Sequence, residues 1–247
     1  MSQGNSSPAI SSTAGLADPR IQETLQRLHR DARGDWRRMM RVIPSGVWAL
    51  VRRRSLMQAI SPTQMKQVYI PVSREQGEFL YVLAHAAKAQ RIVEFGASFG
   101  ISTVYLAAAA RDTGGRVVTT EIEPTKCTVT RDNLCEAGLS DYVDVLEGDA
   151  LQTLAPAEGE RSEIDLLFLD GWKDLYLPLL KVVEPRLADH AVIVADNVNL
   201  QDARPYLDRV RAPNGGFVSA TLFNGAMEVS CVVRPTSRAR GVRPHPS

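Results

Sequence analysis

The stretch RIVEFGASFGIST, residues 91–103, decides the fold expected for this chain. Its first part is a short apolar run, Arg91–Phe95, and its second part opens a helix after two glycines. A buried strand followed by a glycine-bearing turn and a helix is typical of one unit of a parallel sheet. Four more such runs follow and alternate with helical stretches: Arg116–Glu121, Tyr142–Leu146, Ile164–Leu169 and Ala191–Ala195. This alternation predicts an α/β fold with helices on both faces of a mostly parallel sheet.

Two further apolar runs complete the predicted sheet. Phe217–Leu222 and Met227–Val233 lie close together around Asn224-Gly225, a spacing that predicts an antiparallel hairpin at the sheet edge. Upstream of the first strand, Ser73 and Gln76 form a capping box, which predicts a helix that runs through Ala87.

Composition and charge limit the classes of protein that need to be considered. Of the 247 residues, 44% are apolar and 23% are charged, which excludes a disordered, collagen-like or disulfide-scaffold chain. The net charge is +1, yet residues 20–54 carry a net +7 and residues 55–235 a net −8. An acidic body favours a cationic or small-molecule ligand over nucleic acid. The cysteines, Cys127, Cys135 and Cys231, form no paired motif, and a reducing, cytoplasmic location is expected.

The chain divides into four predicted segments. Residues 1–19 lack apolar periodicity and are expected to be disordered, as is a tail over residues 236–247. Residues 20–66 are expected to form a basic helical arm or lid, broken at Pro44-Ser45-Gly46, and residues 67–235 the sheet domain. No signal peptide or membrane span is expected. The piece Val47–Ile60 leaves two interpretations open: a helix packed on the body or a second subunit, or a helix on a membrane surface.

Acidic residues follow or end the first three strands, where ligands of such sheets bind. The glycines Gly96 and Gly100 are spaced GxxxG rather than GxGxxG, which argues against a dinucleotide. Glu94 would repel a pyrophosphate and attract an ammonium group, Glu121 could hold both hydroxyls of a ribose, and Asp149 would lie beside an adenine. A ligand with these groups and no phosphate is S-adenosylmethionine. The alternative is that these residues serve only the turns.

The fourth and fifth strands end in a second group of polar residues. Asp170, Asp196 and Asn197 follow neighbouring strands, and their oxygen atoms suit Mg²⁺, or another divalent cation such as Ca²⁺ or Mn²⁺. The alternative is that both aspartates are helix caps. Lys173 lies three residues beyond Asp170 and is a candidate general base, because a nearby divalent cation would disfavour its ammonium form. An ordinary lysine at a helix start is the alternative. Trp172 could form a wall beside the adenine or the acceptor.

Three stretches together resemble a known family. VEFGASFGIST, LLFLDGWKDLYLP and VADNV, in this order, are similar to the metal-dependent catechol O-methyltransferases and to the wider group of caffeoyl-coenzyme A and bacterial O-methyltransferases. The resemblance covers residues 67–233. It implies the Rossmann-like class I methyltransferase sandwich, with a seven-stranded, mostly parallel sheet that has one antiparallel strand. It also implies a homodimer, and in the bacterial and plant relatives an N-terminal arm covers the substrate and the dimer partner.

The resemblance assigns roles to individual residues. It places Glu94 and Ser102 at the methionine part of the cofactor, with Val72 and Ser98 near the same end, and Glu121 at the ribose. Ala150 and Trp172 fall near the adenine. With the turn residues, the full expected cofactor set is Val72, Glu94, Gly96, Ser98, Gly100, Ser102, Glu121, Asp149, Ala150, Asp170 and Trp172. Asp170, Asp196 and Asn197 match the metal ligands, and Lys173 matches the catalytic base.

The sequence departs from the family around the acceptor. Gly171 replaces a histidine beside the adenine, and the aromatic and proline walls of the catechol pocket appear as Val68 and Gln201. Gly225 stands where the family has the acid that grips the second hydroxyl, with Glu228 close by. The expected activity is methyl transfer to a hydroxyl of a catechol-like small molecule. The alternatives are a methyltransferase of the same fold that acts on nitrogen, tRNA or another hydroxyl, and a non-catalytic cofactor-binding protein.

Overall fold

The computed structural model describes residues 15–42, 72–156 and 163–233, and the side chains of residues 34–42 are not among what it describes. The α-helices are α1 (Pro19–Val42), α2 (Arg74–Ala86), α3 (Ile101–Thr113), α4 (Pro124–Ala137), α5 (Ala150–Thr153), α6 (Tyr176–Val183) and α7 (Arg204–Val210). The strands are β1 (Arg91–Phe95), β2 (Arg116–Glu121), β3 (Val143–Glu147), β4 (Ile164–Leu169), β5 (Leu187–Ala195), β6 (Phe217–Leu222) and β7 (Met227–Val232). Short 3₁₀ turns lie at Gly15–Ala17, Ser140–Tyr142, Lys173–Leu175, Glu184–Arg186, Gln201–Ala203 and Phe223–Gly225.

The seven strands form one sheet in the order β3-β2-β1-β4-β5-β7-β6. The first five pair in parallel, whereas β7 runs antiparallel to both β5 and β6. The predicted fold class is therefore confirmed, including the single reversed strand and the hairpin around Asn224. The strand order reverses at β1, between β2 and β4, so the carboxyl ends of β1, β2 and β4 meet at the point where ligands of open α/β sheets bind.

Each face of the sheet carries its own apolar core. One face packs against α2 and α3, whose residues Leu80 and Leu106 are fully buried together with Ile92 of β1. The other packs against α6 and α7 through Leu180 and Tyr206. Strand residues that alternate between these two cores, such as Ile92 and Val93, are buried on either side, as expected for a central parallel strand.

The N-terminal boundary of the predicted disorder was wrong for residues 15–19. Gly15–Ala17 forms a turn in which Gly15 is buried, and Arg111 of α3 donates to the Gly15 carbonyl at 3.1 Å and to Asp18 at 2.9 Å. Helix α1 then packs on the domain through Ile21, which is fully buried. The composition of this segment does not indicate the two residues that order it. Gly15 adopts a φ of +72°, and Asp18 accepts a hydrogen bond from the Arg20 N–H at the start of α1.

Most predicted bounds hold, with small shifts at strand ends. β3 begins at Val143 because Tyr142 closes a 3₁₀ turn, and β5 begins at Leu187, four residues before the predicted start. The predicted break at residues 44–46, the piece 47–60 and the predicted tail lie outside the described residues. In the described part of the chain, no helix combines the length and apolarity that crossing a membrane requires.

Candidate active site

The turn after β1 brings the backbone very close to the turn after β4. Gly96 has φ +97°, and a Cβ at this position would lie 2.7 Å from the Gly171 nitrogen, so only glycine fits. Gly100 has φ +85° and begins α3. Between them, Ser98 donates its backbone N–H to the Glu121 carboxylate at 2.9 Å. The predicted cofactor residues of β1 and β2 are therefore brought together.

Glu94 is a fully buried carboxylate beneath this turn. One oxygen, Oε2, accepts from the hydroxyls of Thr103 and Thr119, each at 2.6 Å, whereas Oε1 has no partner. Burial raises the pKa of Glu94, hydrogen bonds from Ser102 and the two threonines oppose that shift, and the Glu121 charge adds to it. A buried carboxylate with one open oxygen is suited to a cationic group of a ligand.

The next carboxylates around the cleft are held by backbone N–H groups. Glu121 accepts from Ser98 through Oε2 and from Glu123 through Oε1 at 3.0 Å. Asp149, which is exposed beside the cleft, accepts from the Leu151 N–H at 2.9 Å and so caps α5, a role in the turn as the alternative for this residue predicted. Ala150 is buried behind it, and Val72 is buried at the entry to α2.

Asp170 and Asp196 follow adjacent strands. The backbone N–H of Asp196 donates to Leu169 at 2.9 Å, which ties the end of β4 to the end of β5. Burial raises the pKa of Asp170 to about 8, Lys173 opposes the shift, and the charge of Asp196 adds to it. Burial likewise raises the pKa of Asp196, against the backbone bond of Asn197 and the charge of Lys173. Asn197 has φ +52°, and its amide lies 3.2 Å from Asp196 Oδ2.

Lys173 is buried beside this pair. Its Nζ lies 3.1 Å from Asp170 Oδ1 and 5.2 Å from the ring centre of Tyr176. Trp172, which is half-buried, begins the 3₁₀ turn that holds Lys173. The structure thus brings Asp170, Lys173 and Asp196 together, as the sequence predicted.

Comparison with known proteins gives this fold and site a family. A family model described as "Methyltransferase domain" matches residues 93–198. A catechol O-methyltransferase of Mycobacterium tuberculosis is 42% identical over 52% of this chain and 57% of that protein. The catechol O-methyltransferase of Sus scrofa is 30% identical, over 70% of this chain and 94% of that protein. The chain belongs to the class I O-methyltransferase family.

A solved structure agrees with this membership of the O-methyltransferase family. The O-methyltransferase TomG from Streptomyces achromogenes, in complex with SAM, matches with a TM-score of 0.58 and 26% identity, over 66% of this chain and 82% of that one. The chain spans between about half and three fifths of the length of the first curated relatives, for example 57% and 54%.

One residue of this candidate site was missed by sequence reasoning. Gln76 accepts from the Ser73 N–H through Oε1 at 2.7 Å, as the capping box predicted, and its Nε2 also donates to Asp196 Oδ1 at 2.9 Å. The capping motif predicted the role of Gln76 at the start of α2 but not its hydrogen bond to Asp196. A local sequence pattern contains no information about a partner 120 positions away. The start of α2 is thus tied directly to a candidate metal ligand.

The acceptor side differs from the family resemblance. Glu228 is buried and its carboxylate accepts from Arg211 Nε at 2.6 Å and from Thr221 at 2.6 Å, so it does not face an acceptor. Hydrogen bonds from Arg211 and Thr221 outweigh burial and lower the pKa of Glu228. Gln201 is exposed at the surface, and Val68 lies outside the described residues.

Proposed function

We propose that this protein transfers the methyl group of S-adenosylmethionine to one hydroxyl of a vicinal dihydroxy aromatic small molecule, with a divalent cation such as Mg²⁺ held at Asp170, Asp196 and Asn197. The observation that carries the proposal is the juxtaposition of Lys173 with the two buried aspartates at adjoining strand ends. Family membership and the TomG complex support the cofactor.

The cofactor would bind across the ends of β1, β2 and β3. The open Oε1 of Glu94 would accept from the methionine ammonium, with Ser102, 4% exposed, beside it. Glu121 would take the ribose hydroxyls while the N–H groups of Ser98 and Glu123 hold its carboxylate in place. Ala150 and the half-buried Trp172 would border the adenine.

The residues present fit a divalent cation. Two carboxylates lie beside each other at adjoining strand ends, and burial raises the pKa of Asp170, with a further contribution from the charge of Asp196. Among the described residues, no group of three or more His, Cys, Asp or Glu side chains could hold a metal, so Asn197 would contribute the third oxygen. When bound, such an ion stabilises the developing phenolate charge as a Lewis acid.

The chain's own contribution to the chemistry is position and proton removal. Lys173 Nζ, held next to Asp170, would as the neutral amine accept the proton of the reacting hydroxyl and become the ammonium that pairs with Asp170. The hydroxyl oxygen then forms a bond to the methyl carbon as the carbon–sulfur bond breaks, and the electron pair leaves with sulfur. Because Glu94 and Glu121 are fixed by hydrogen bonds, they would hold the sulfonium in line with that oxygen.

The test is a methylation assay with S-adenosylmethionine and a panel of vicinal diphenols, with Mg²⁺ or with excess chelator. We expect one methyl group by mass spectrometry, formed only with the metal. Lys173→Ala should lower kcat by about 100-fold or more while cofactor affinity stays within about twofold. Lys181→Ala, an exposed lysine of α6, is the matched control and should leave both unchanged. Turnover in the presence of the chelator would contradict the role of the metal. Unchanged turnover of Lys173→Ala would contradict the role of Lys173 as the base.

A homodimer formed through the arm at residues 20–66, and a cytoplasmic location, remain part of the proposal. The described part of the arm packs on its own domain through residues such as Leu25 and Leu28, whereas Gln22, Gln26 and Arg30 of the same helix are exposed. Analytical ultracentrifugation of the full chain and of a chain lacking residues 43–66 measures this directly.

A further inference from the structure

A cavity of about 490 Å³ adjoins the candidate metal site, between the loop after β5, helix α7 and the β6–β7 hairpin. Val198, which directly follows Asn197, lines it. So do Gln201 and Gly225, two of the three positions at which the family resemblance places acceptor-contacting residues. Small-molecule pockets have volumes of roughly 300–1,000 Å³. The cavity therefore has the size and the place for part of an acceptor.

The charged side chains that line this cavity are both arginines, Arg204 and Arg211. Arg211 is fixed from behind, because its Nε and Nη2 donate to Glu228, which is 1% exposed, and Nη2 also donates to Thr221. These bonds leave Nη1 for another acceptor. Arg204 donates through Nε to Asp208 at 3.0 Å in a solvent-exposed pair, which a ligand can displace at small cost.

The acids that pair with these arginines, Asp208 and Glu228, are not among the residues that line the cavity, and the lining includes no other acid. A Cβ added at Gly225 would meet no heavy atom within 4 Å, so the space is open where the family resemblance places an acidic side chain. The nearest acid in sequence, Glu228, forms an ion pair with Arg211. The cavity thus keeps two guanidinium groups and open volume on the side of the metal site, whereas the body as a whole is acidic.

We propose that the acceptor carries a carboxylate on its side chain and that Arg204 and Arg211 bind it. This inference rests on the proposed function, since it names the substrate class of the same site. A guanidinium group presents a planar pair of N–H donors that matches a carboxylate, and the pair of arginines would orient the acceptor from the end opposite its hydroxyls. Neutral and amine-bearing diphenols would lack this contact.

The first experiment compares vicinal dihydroxyphenyl alkanoic acids of increasing chain length with their methyl esters under saturating S-adenosylmethionine and Mg²⁺. For the chain length that reaches the arginines, we expect kcat/KM of the acid to exceed that of the ester by about tenfold, carried by KM. Equal values for acid and ester at every length would overturn the inference.

The variants assign that preference to the arginines. Arg204→Gln should raise KM for the acid by about tenfold and leave the ester unchanged, whereas Arg204→Lys should recover part of the loss. Arg211→Gln alone would leave the buried Glu228 without a charged partner, so it is combined with Glu228→Gln to remove both charges. Arg116→Gln, an exposed arginine of β2, is the control. A KM that rises equally for acid and ester in Arg204→Gln would contradict the assignment.

A binding measurement separates this inference from the proposed function. Phenylpropionate, which has no hydroxyl to methylate, should bind the full chain by calorimetry, and Arg204→Gln should weaken that binding by about tenfold. If no diphenol is methylated and this binding remains, the proposed function fails and the carboxylate site stands. If diphenols are methylated and phenylpropionate binding does not depend on Arg204, the proposed function stands and the carboxylate site fails.

Discussion

The two halves of the cleft differ in how closely their carboxylates lie to one another. On the cofactor side, Glu121 and Asp149 already accept backbone hydrogen bonds and Glu94 accepts two hydroxyls. On the metal side, Asp170 and Asp196 lie next to each other at adjoining strand ends, and the charge of Asp196 adds to the rise that burial causes in the pKa of Asp170. The first half is organised before any ligand arrives, whereas the second stores unfavourable electrostatic energy that a cation would relieve.

This difference teaches where each ligand's binding energy comes from. Hydrogen bonds that fix a carboxylate in advance lower the entropy lost when the cofactor binds. A pair of buried like charges does the reverse: it destabilises the protein in the absence of metal and turns that penalty into metal affinity. Substitutions that neutralise a carboxylate should therefore act differently in the two halves.

The largest effect is expected at Asp170. Asp170→Asn should reduce metal-dependent turnover by about 1,000-fold, because it removes a charged ligand from the site. In contrast to this loss, the variant without metal should be more stable than the wild type at pH 8, because only one of the two neighbouring carboxylates remains and Asp196 still faces the charge of Lys173. Thermal melting with and without Mg²⁺ measures both states. A metal-free variant that is less stable than the wild type would contradict the view of a strained pair.

The pH dependence of the wild type gives the sign of this effect. Folding raises the pKa of Asp170 from its ordinary value of 3.8 to about 8, so the folded protein keeps a proton that the unfolded chain releases. This contribution to stability is present below about pH 4 and is lost as pH rises through about 8. Mg²⁺ competes with that proton, so its stabilising effect should be larger at pH 8 than at about pH 6. The Asp170→Asn variant should show a smaller difference, because only Asp196, whose pKa burial also raises, still competes with the metal for a proton.

An intermediate effect is expected at Glu94, on the organised side. Glu94→Gln keeps an oxygen for Thr103 and Thr119 and removes the charge that faces the methionine ammonium. We expect binding of S-adenosylmethionine to weaken by about 10- to 100-fold, the range for a hydrogen bond between charged groups. Calorimetry measures it, and Mg²⁺ binding should be unaffected.

The control for this charge is an equivalent substitution away from the cleft. Glu136→Gln removes an exposed carboxylate of α4 that pairs with Arg27, and cofactor binding should not change. If the two variants bind the cofactor equally well, the open oxygen of Glu94 is not where the ammonium binds.

The sequence predicted the positions of residues in the cleft better than it predicted their electrostatic environment. The bounds of β1, β2, β4 and β6 match the predicted runs because apolar periodicity reports burial directly. Glu94, Glu121 and Asp170 could be placed because they follow from strand order and register. The raised pKa of Asp170 depends on burial and on Asp196, which are properties of the folded molecule.

Contacts between distant segments could not be predicted for the same reason. The Arg111 bond that anchors Gly15 joins residues 96 positions apart, and composition alone had placed Gly15 in a disordered segment. The ion pair between Arg211 and Glu228 could not be predicted either. This pair holds the Glu228 carboxylate away from the acceptor side. Local patterns specify elements, whereas the partners of buried charges are set by how those elements pack.

The smallest effect is expected at Gln76. Its hydrogen bond in the helix cap and its hydrogen bond to Asp196 can be tested separately. Gln76→Ala removes the donor to Asp196 Oδ1 and one bond of the capping box. Residues that orient metal ligands typically contribute about 10- to 100-fold in metal affinity, and for this neutral bond we expect the lower figure. Titration with Mn²⁺ followed by electron paramagnetic resonance measures it without turnover.

The matched variant is Ser73→Ala, which breaks the Ser73 hydroxyl bond to the Gln76 N–H at 3.1 Å and leaves the bond to Asp196 intact. Both variants should lose about 1 kcal/mol of stability as the helix cap weakens, because each removes one of the two reciprocal cap bonds. Only Gln76→Ala should also lose metal affinity. If Ser73→Ala weakens Mn²⁺ binding as much, the start of α2 acts on the site through helix position, and the Gln76–Asp196 bond has no separate role.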